Sequence, residues 1–233
     1  TPVIPPYLLN RKSFEDVTDL ADFEKVMYKI DGDDEYLIAT AEHPMAAMYQ
    51  DEIFEEKDLP LKMVGISPCF RREIGAHGLD SRGLFRVHQF TKVEQFIYCM
   101  PEKSREMHEE RLVNSEELFS KLGLPYHVVN ICTGDIGIVA AKKYDIEAWM
   151  PRDNAYREVV SCSNCTAYQA CRLNIRVRDA HDFDSKRYLH TLNSTAIATS
   201  RALRCILENY QTEDGRVEIP EVLRPYMQGR EFL

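Results

Sequence analysis

Two segments in the first half of the chain alternate apolar and polar side chains with a period of two, KMVGISPCFRRE at 62–73 and LFRVHQFTKVEQFIYC at 84–99. That pattern predicts two long strands. Between them the ten residues IGAHGLDSRG carry Gly75, Gly78 and Gly83, which makes the pair a hairpin with a mobile tip. Elsewhere the spacing is helical. Residues 43–56 align Met45, Ala46, Tyr49 and Ile53, with Pro44 tolerated in the first turn. Residues 102–122 form a longer, charged-faced helix closed by Gly123, and the stretch from about Thr195 to Tyr210 offers Ile197, Leu203, Ile206, Leu207 and Tyr210 as an apolar face. Shorter strands are predicted at 34–40, 126–131, 144–150, 156–160 and 188–193. Strands outnumber helices and are joined by hairpins, so the pattern reads as α+β, an antiparallel β-sheet flanked by helices. No repeat, low-complexity segment or linker interrupts residues 1–233, and one domain is expected.

Alternation also sorts the polar residues. In the first long strand Arg71 and Glu73 share a face, about 7 Å apart at ~3.3 Å per residue. In the second, Arg86, His88, Phe90, Lys92 and Glu94 share one face, and Val87, Val93, Ile97 and Cys99 take the other. One side of the hairpin therefore reads as core. The other is a solvated face on the plainest reading, but a bare solvated face seldom sets Phe90 among charges. A stacking platform with cations for an anion and carboxylates for an ammonium fits a zwitterionic or phosphorylated ligand.

Composition narrows the picture. The 233 residues carry 29 basic against 38 acidic side chains, net −9, with 44% hydrophobic residues, as in ordinary soluble domains. The acidic total argues against general affinity for nucleic acid, yet residues 71–92 hold five Arg or Lys and two acids, locally +3. No apolar run reaches the roughly 18 residues of a membrane helix, so no membrane partner is expected. The opening TPVIPPYLL lacks the features of a secretory signal, and with no initiator Met the chain is expected to begin inside a larger protein. Seven cysteines are an odd number, and Cys69, Cys99, Cys132 and Cys205 stand in strand-like or helix-like context. Disulfides are not expected, and the cytoplasm is the expected location. Cys162, Cys165 and Cys171 form C-x2-C-x5-C, an invitation to zinc. Only three cysteines cluster, with His181 the nearest histidine, so zinc is not expected.

CFRREIGAHGLDSRGLFRVHQFTKVEQF resembles motif 2 of the class II aminoacyl-tRNA synthetases, in its seryl-tRNA synthetase form. TAEHPM (Thr40 to Met45) is similar to that family's serine-binding TxE loop. LNSTAIATSRALRCILENYQ (Leu192 to Gln211) is similar to motif 3, and REVVSCSNCTAYQACRLNIR (Arg157 to Arg176) to the segment between them. The wording is closest to the archaeal branch, and the likeness covers nearly the whole chain. At the front, TPVIPPYLL matches only the last strand of motif 1. The motif 1 helix and the N-terminal coiled-coil arm have no counterpart, so the chain resembles a catalytic-domain fragment.

The resemblance implies the class II catalytic fold and activation of L-serine by ATP, with transfer of the seryl group to the 3′-terminal adenosine of tRNA(Ser). It implies Arg71 and Arg201 as catalytic groups on the phosphates. Serine would be bound by Thr40, Ala41, Glu42, Arg71, Glu94, Asn193 and Thr195, with Asn193 orienting Thr195. ATP would be bound by Arg71, Arg72, Glu73, Arg86, Phe90, Glu158, Val159, Val160, Ser161 and Arg201, although parity alone turns Arg72 away as a structural residue. Mg²⁺ would be held by Glu158 and Ser161. Their separation of three does not fit one face of a regular strand, so a bulge or strand end is expected there. A homodimer is implied for the full-length protein. Blander readings stand beside these: Glu42 as a first-turn carboxylate on a helix dipole, Arg201 as a solvated helix residue, Glu158 as a surface partner of Arg157 or Arg152. His77 in the hairpin tip reads as a loop residue or a contact for the tRNA acceptor end. Two other functions fit the same residues: an adenylating ligase that charges a carrier protein with serine or another small amino acid, and a catalytically silent paralogue acting in regulation or dimerisation.

Overall fold

The computed structural model describes residues 1–74, 83–178 and 186–233, side chains at 21 and 22 aside. Most of the hairpin tip, including Gly75, His77 and Gly78, lies outside the described residues, as does His181. The chain opens with β1 (Pro2–Val3), β2 (Leu8–Asn10), α1 (Arg11–Val17), α2 (Leu20–Phe23), β3 (Glu35–Leu37), α3 (Glu42–Ala47) and β4 (Ile53–Glu55). The long hairpin follows as β5 (Leu61–Phe70) and β6 (Gln89–Cys99), then α4 (Ser104–Lys121), β7 (Tyr126–Asn130), β8 (Lys142–Met150) and β9 (Ala155–Thr166). The last elements are α5 (Tyr168–Arg172), β10 (Arg176–Arg178), β11 (Lys186–Tyr188), β12 (His190–Ala198) and α6 (Thr199–Asn209).

Seven strands form the main sheet in the order β1-β5-β6-β12-β9-β8-β7. Every pairing in it is antiparallel except the edge, where β1 runs parallel to β5. The fold is the expected α+β, with a mixed edge. Helix α4 covers one face of the sheet. Met107 packs with Ile97, Cys99 and Leu192, and Ser115 Oγ donates to Thr195 O at 2.8 Å. Helix α6 joins it through Cys205, which sits in a cluster with Phe119, Ile146, Val159 and Val160. The end of α4 follows from sequence: Leu122 caps it and Gly123 turns left-handed at φ +66°, a conformation open to glycine at no steric cost.

The other face is covered only in part. Helix α3 packs Ala41, Met45 and Ala46 against Met63, Phe96 and Tyr98, and the Tyr98 hydroxyl donates to the carbonyl of Met45 at 2.6 Å. Gly65 permits this approach, since a Cβ there would lie 2.8 Å from Met45 Sδ and 2.9 Å from Ala41 Cβ. Residues 95–99 of β6 are thus covered on both faces, and the hairpin is not core on one side and solvent on the other. The uncovered portion, from the first half of β6 across to β8, is where the candidate chemistry gathers.

Several boundaries differ from the sequence expectation. Strand β5 stops at Phe70, and Glu73 adopts a left-handed φ of +47°, so Arg71 and Glu73 are not strand neighbours. Strand β6 starts at Gln89, leaving Arg86 and His88 before it. The helix predicted for 43–56 ends at Ala47, because Asp51 turns left-handed and Ile53–Glu55 pair with Arg176–Arg178. Thr195 lies in strand rather than helix: β12 continues to Ala198, held between β6 and β9. Cys132 is exposed in neither strand nor helix. Among the described residues, no helix is long and apolar enough to cross a membrane.

Candidate active site

Alternation on adjacent strands brings one set of polar side chains to the open face: Lys92 and Glu94 from β6, Asn193 from β12, Ser161, Ser163 and Cys165 from β9. With Thr40 and Glu42 at the start of α3 and Arg71 beyond β5, they line a cleft of about 260 Å³, rimmed by residues 136–140.

One half of the cleft is acidic and deep. Oε1 of Glu42 accepts from Gln169 Nε2 and Asn193 Nδ2, each at 2.9 Å. The Gln169 amide cannot be reversed, because Nε2 also donates to Val17 O at 3.2 Å and a carbonyl can only accept, while its oxygen accepts from Thr191 Oγ1 at 2.7 Å. Glu42 is therefore gripped on one oxygen, and its partial exposure is toward the cleft. Burial, then the charge of Glu94, pushes the Glu42 carboxyl up to about 7. Glu94 is 1% exposed and is also raised by burial, with Lys92 opposing the rise. Lys92 Nζ lies 2.5 Å from Glu94 Oε2 and donates to Thr40 Oγ1 at 3.1 Å. His43 stands edge-on to Phe14 and is pushed down to about 3, by burial and then by Lys92 and Arg71, so it is neutral.

The other half is cationic. Arg71 Nε donates to Ala39 O at 3.3 Å, and its guanidinium lies 5.3 Å from the Phe90 ring centroid, so the two share one surface. Arg86 pairs with Glu73 at 3.3 Å. Arg201 Nη1 donates to Glu158 O at 2.8 Å, and the guanidinium sits 4.7 Å from the Phe85 ring. Burial lowers the Arg201 pKa and the charge of Glu158 opposes this. The spacing of Glu158 and Ser161 resolves as expected into a bulge: Ile146 pairs with Val160 and Glu147 with Glu158, leaving Val159 extra. The side chains of Val159 and Val160 are buried in the core beneath α4 and α6, so they can offer a ligand only backbone atoms. Asp145, paired with Ser161 across the strands, keeps a buried Oδ1 that no hydrogen bond satisfies. Burial, then Glu158, pushes this carboxyl up to about 6.

Residues 25–210 match the family profile "tRNA synthetase class II core domain (G, H, P, S and T)". This chain belongs to the class II tRNA synthetase core family. A relative from Methanocorpusculum labreanum, named Serine--tRNA ligase, is 87% identical over the whole chain, which covers 55% of that protein. One of the same name from Pyrococcus abyssi is 63% identical, with 51% of it covered. The crystal structure of seryl-tRNA synthetase from Pyrococcus horikoshii complexed with ATP superposes with a TM-score of 0.95 at 62% identity, covering 100% of this chain and 52% of that one. That of the cytoplasmic serine-tRNA ligase from Naegleria fowleri in complex with AMP gives 0.93 at 48%, covering 100% and 55%. The chain spans about half the length of the curated relatives it matches.

As a class II core, the chain brings Thr40, Glu42, Arg71, Glu94, Ser161 and Asn193 to one cleft. Ala41 is fully buried against Gly65 and offers backbone only. Arg72 is tied by its N–H to Val26 O at 2.8 Å. Thr195 is buried and paired with Glu94, but the Asn193 amide serves Glu42 and Cys165 instead of Thr195. Cys162 faces α4, bonding to His108 O, whereas Cys165 contacts Asn193 on the cleft side and Cys171 is exposed. The three thiols therefore do not converge. Sequence reasoning missed Gln169, Asp145 and Phe85 as parts of this region, and placed Lys92 on the candidate face without giving it a role. Lys92 was legible, since it shares a strand face with Glu94. Gln169, 127 residues from its partner Glu42, left no local signal.

Proposed function

We propose that residues 1–233 form the catalytic core of a serine–tRNA ligase, activating L-serine with ATP to seryl-adenylate and pyrophosphate. What supports the reading most is one adjacency: the partly and fully buried carboxylates of Glu42 and Glu94 lie in the same cleft as Arg71, whose guanidinium is 5.3 Å from the Phe90 ring centroid. That is an ammonium site beside an anion and stacking site. A carboxylate oxygen of serine bonds to the α-phosphorus as the bond to the pyrophosphate oxygen breaks. Arg71 holds the two anions together and offsets charge gathering at the α-phosphate, while Arg201 and Arg86 take the outer phosphates. Phe90 stacks on adenine, and Glu73 accepts from its amino group. Glu42 and Glu94 receive the serine ammonium, with Thr40, Asn193 and Thr195 around the hydroxyl. A site that hydrogen-bonds the hydroxyl rejects alanine because its own polar groups are left unpaired. No protein nucleophile or general base is required.

Mg²⁺ fits the donor set at the β9 bulge. Glu158 and Ser161 supply hard oxygens, and Asp145 beside them holds an unsatisfied buried Oδ1. Among the described residues, no three His, Cys, Asp or Glu side chains converge as a cage, which suits an ion held by one or two side chains and the nucleotide's phosphates. When bound, the ion offsets phosphate charge.

For the longer protein, the 3′-terminal ribose hydroxyl of tRNA(Ser) then attacks the seryl carbonyl and AMP leaves. Homodimerisation and a cytoplasmic location belong to the same reading, on the strength of the family resemblance. ATP–pyrophosphate exchange with serine, alanine and threonine tests the core claim. Exchange driven by serine and far less by the other two is expected, and a chain inactive with serine or equally active with alanine overturns it. Charging tRNA(Ser) but not a phosphopantetheinyl carrier protein is expected of the longer protein.

A further inference from the structure

Lys92 is buried, 9% exposed, and it stands between the groups to which the proposed function gives the substrate's ammonium. Its Nζ contacts Glu94 Oε2 and bonds Thr40 Oγ1, so a lysine ammonium already occupies part of an ammonium site. The contact with Oε2 is a short charge-assisted one, and Glu94 also meets the Thr40 hydroxyl, but Oε2, like any carboxylate oxygen, has a second acceptor position. It therefore keeps acceptor capacity for a second cation. The charged and titratable groups around this point are Asp19 between α1 and α2, Glu42 and neutral His43 from α3, Arg71 beyond β5, Glu94 on β6, Lys143 on β8, which pairs with Asp145 at 3.7 Å, and the Cys165 thiol on β9, raised by burial. The nearby thiol of Cys69 on β5 is raised by burial. With Arg71 reserved for anions, two carboxylates face one internal cation.

Resting on the reading of the cleft as a serine site, we propose that Lys92 is a positioning residue for substrate recognition. It is an internal counter-ion that cancels one of the two carboxylate charges and leaves the site with the deficit of a single ammonium. Two buried carboxylates without it resist joint ionisation, and one must hold a proton where serine needs an acceptor. The same side chain holds Thr40 and Glu94 together before serine arrives, which reduces the ordering left to be done on binding.

The test is calorimetric titration of serine, and separately of ATP, into the wild-type chain, Lys92→Met and Lys92→Arg between about pH 6 and 8.5. For Lys92→Met the midpoint of pH-dependent serine binding is expected to move upward. Below that midpoint the serine Kd rises about tenfold for each unit of movement, with ATP affinity unchanged. Lys92→Arg, which keeps the charge, returns the midpoint toward wild type even if its bulk weakens binding. A packing role alone would weaken binding equally at every pH. A Lys92→Met midpoint equal to wild type, or serine and ATP weakened alike, overturns the inference while leaving the serine reading intact. A wild-type chain that binds no serine overturns the functional reading and this inference with it.

Discussion

Replacing Glu42 with Gln tests the amino-acid half of the cleft because it moves stability and binding in opposite directions. Both amide donors, from Gln169 and Asn193, end on Oε1. The substituted side chain keeps them by placing its carbonyl oxygen there and turning its NH₂ toward the cleft. Burial, with Glu94, raises the native carboxyl from 4.5 to about 7. A carboxyl whose pKa is higher folded than unfolded binds more protons in the folded state. It costs nothing below its unfolded value and destabilises progressively as pH rises toward and through the folded one. A rise of about 2.5 units is worth about 3.4 kcal/mol, and the partial opening of Glu42 to the cleft reduces this to roughly 1–3 kcal/mol. Glu42→Gln removes that burden, so near pH 8 the variant is expected to melt higher, by about 2–4 °C per kcal/mol for a chain of this size. Near pH 4.5 the two proteins should melt alike. Serine binding goes the other way. The ammonium meets a donor where it had an acceptor and loses a charge-assisted bond of about 1.5–3 kcal/mol, or roughly 10–100-fold in the serine requirement. Thermal melts at both pH values, beside pyrophosphate exchange across a serine series, check the pair of outcomes. A variant that melts below wild type near pH 8, or one that keeps the wild-type serine dependence, would refute the argument.

Arg71→Ala is expected to lower kcat/KM for exchange by about 100-fold or more, since charge-assisted contacts to both the substrate carboxylate and the α-phosphate are lost; near-normal exchange kinetics would remove Arg71 from the site. Glu158→Gln should raise the Mg²⁺ concentration needed for exchange while leaving the serine KM in place, and an unchanged Mg²⁺ requirement counts against the bulge as the ion's site. Gly65→Ala places a Cβ 2.8 Å from Met45 Sδ, so overpacking of about 1–3 kcal/mol is expected, read as a lower melting temperature. An unchanged melt would mean that α3 is free to move off the sheet.

The parts of the fold that were legible are those where one local rule decides. Helix α4 has a long charged face and a glycine in the position that must turn left-handed. The long strands alternate, and a spacing of three between Glu158 and Ser161 cannot be reconciled with a period of two except by inserting a residue, which is what Val159 does. The errors fall where partners distant in sequence decide. Thr195 to Ala198 suits helix or strand by composition, and pairing with β6 on one side and β9 on the other settles it as strand. Residues 43–56 keep helical spacing throughout, yet Ile53–Glu55 find a better partner in β10. Helix α1, seven residues with only Ser13, Phe14 and Val17 buried, is too short to show a stripe. In the cleft, Glu42 and Glu94 were readable as residues, while the amides that aim Glu42 were not, because Asn193 lies 151 positions away in the chain.

The irregular points of the main sheet and the candidate chemistry coincide, and there is a physical reason for it. A regular strand sends alternate side chains to opposite faces, so it cannot bury two consecutive residues in one core and keep ligand groups on both sides of them without breaking period. The β9 bulge keeps Val159 and Val160 in the core while turning Glu158 and Ser161 to the open side. The shift in β12 after Thr195 lets Asn193 and Thr195 follow strand parity next to Glu94, and Thr199 then starts the helix that carries Arg201. The left-handed turn at Glu73 redirects the chain after Arg71, where continued strand would have carried Glu73 past the Arg86 it pairs with. Each break costs ladder hydrogen bonds that the sheet could otherwise make. Their position on the cleft side, with the α4-covered core left closed, is what a sheet shaped around a ligand requires.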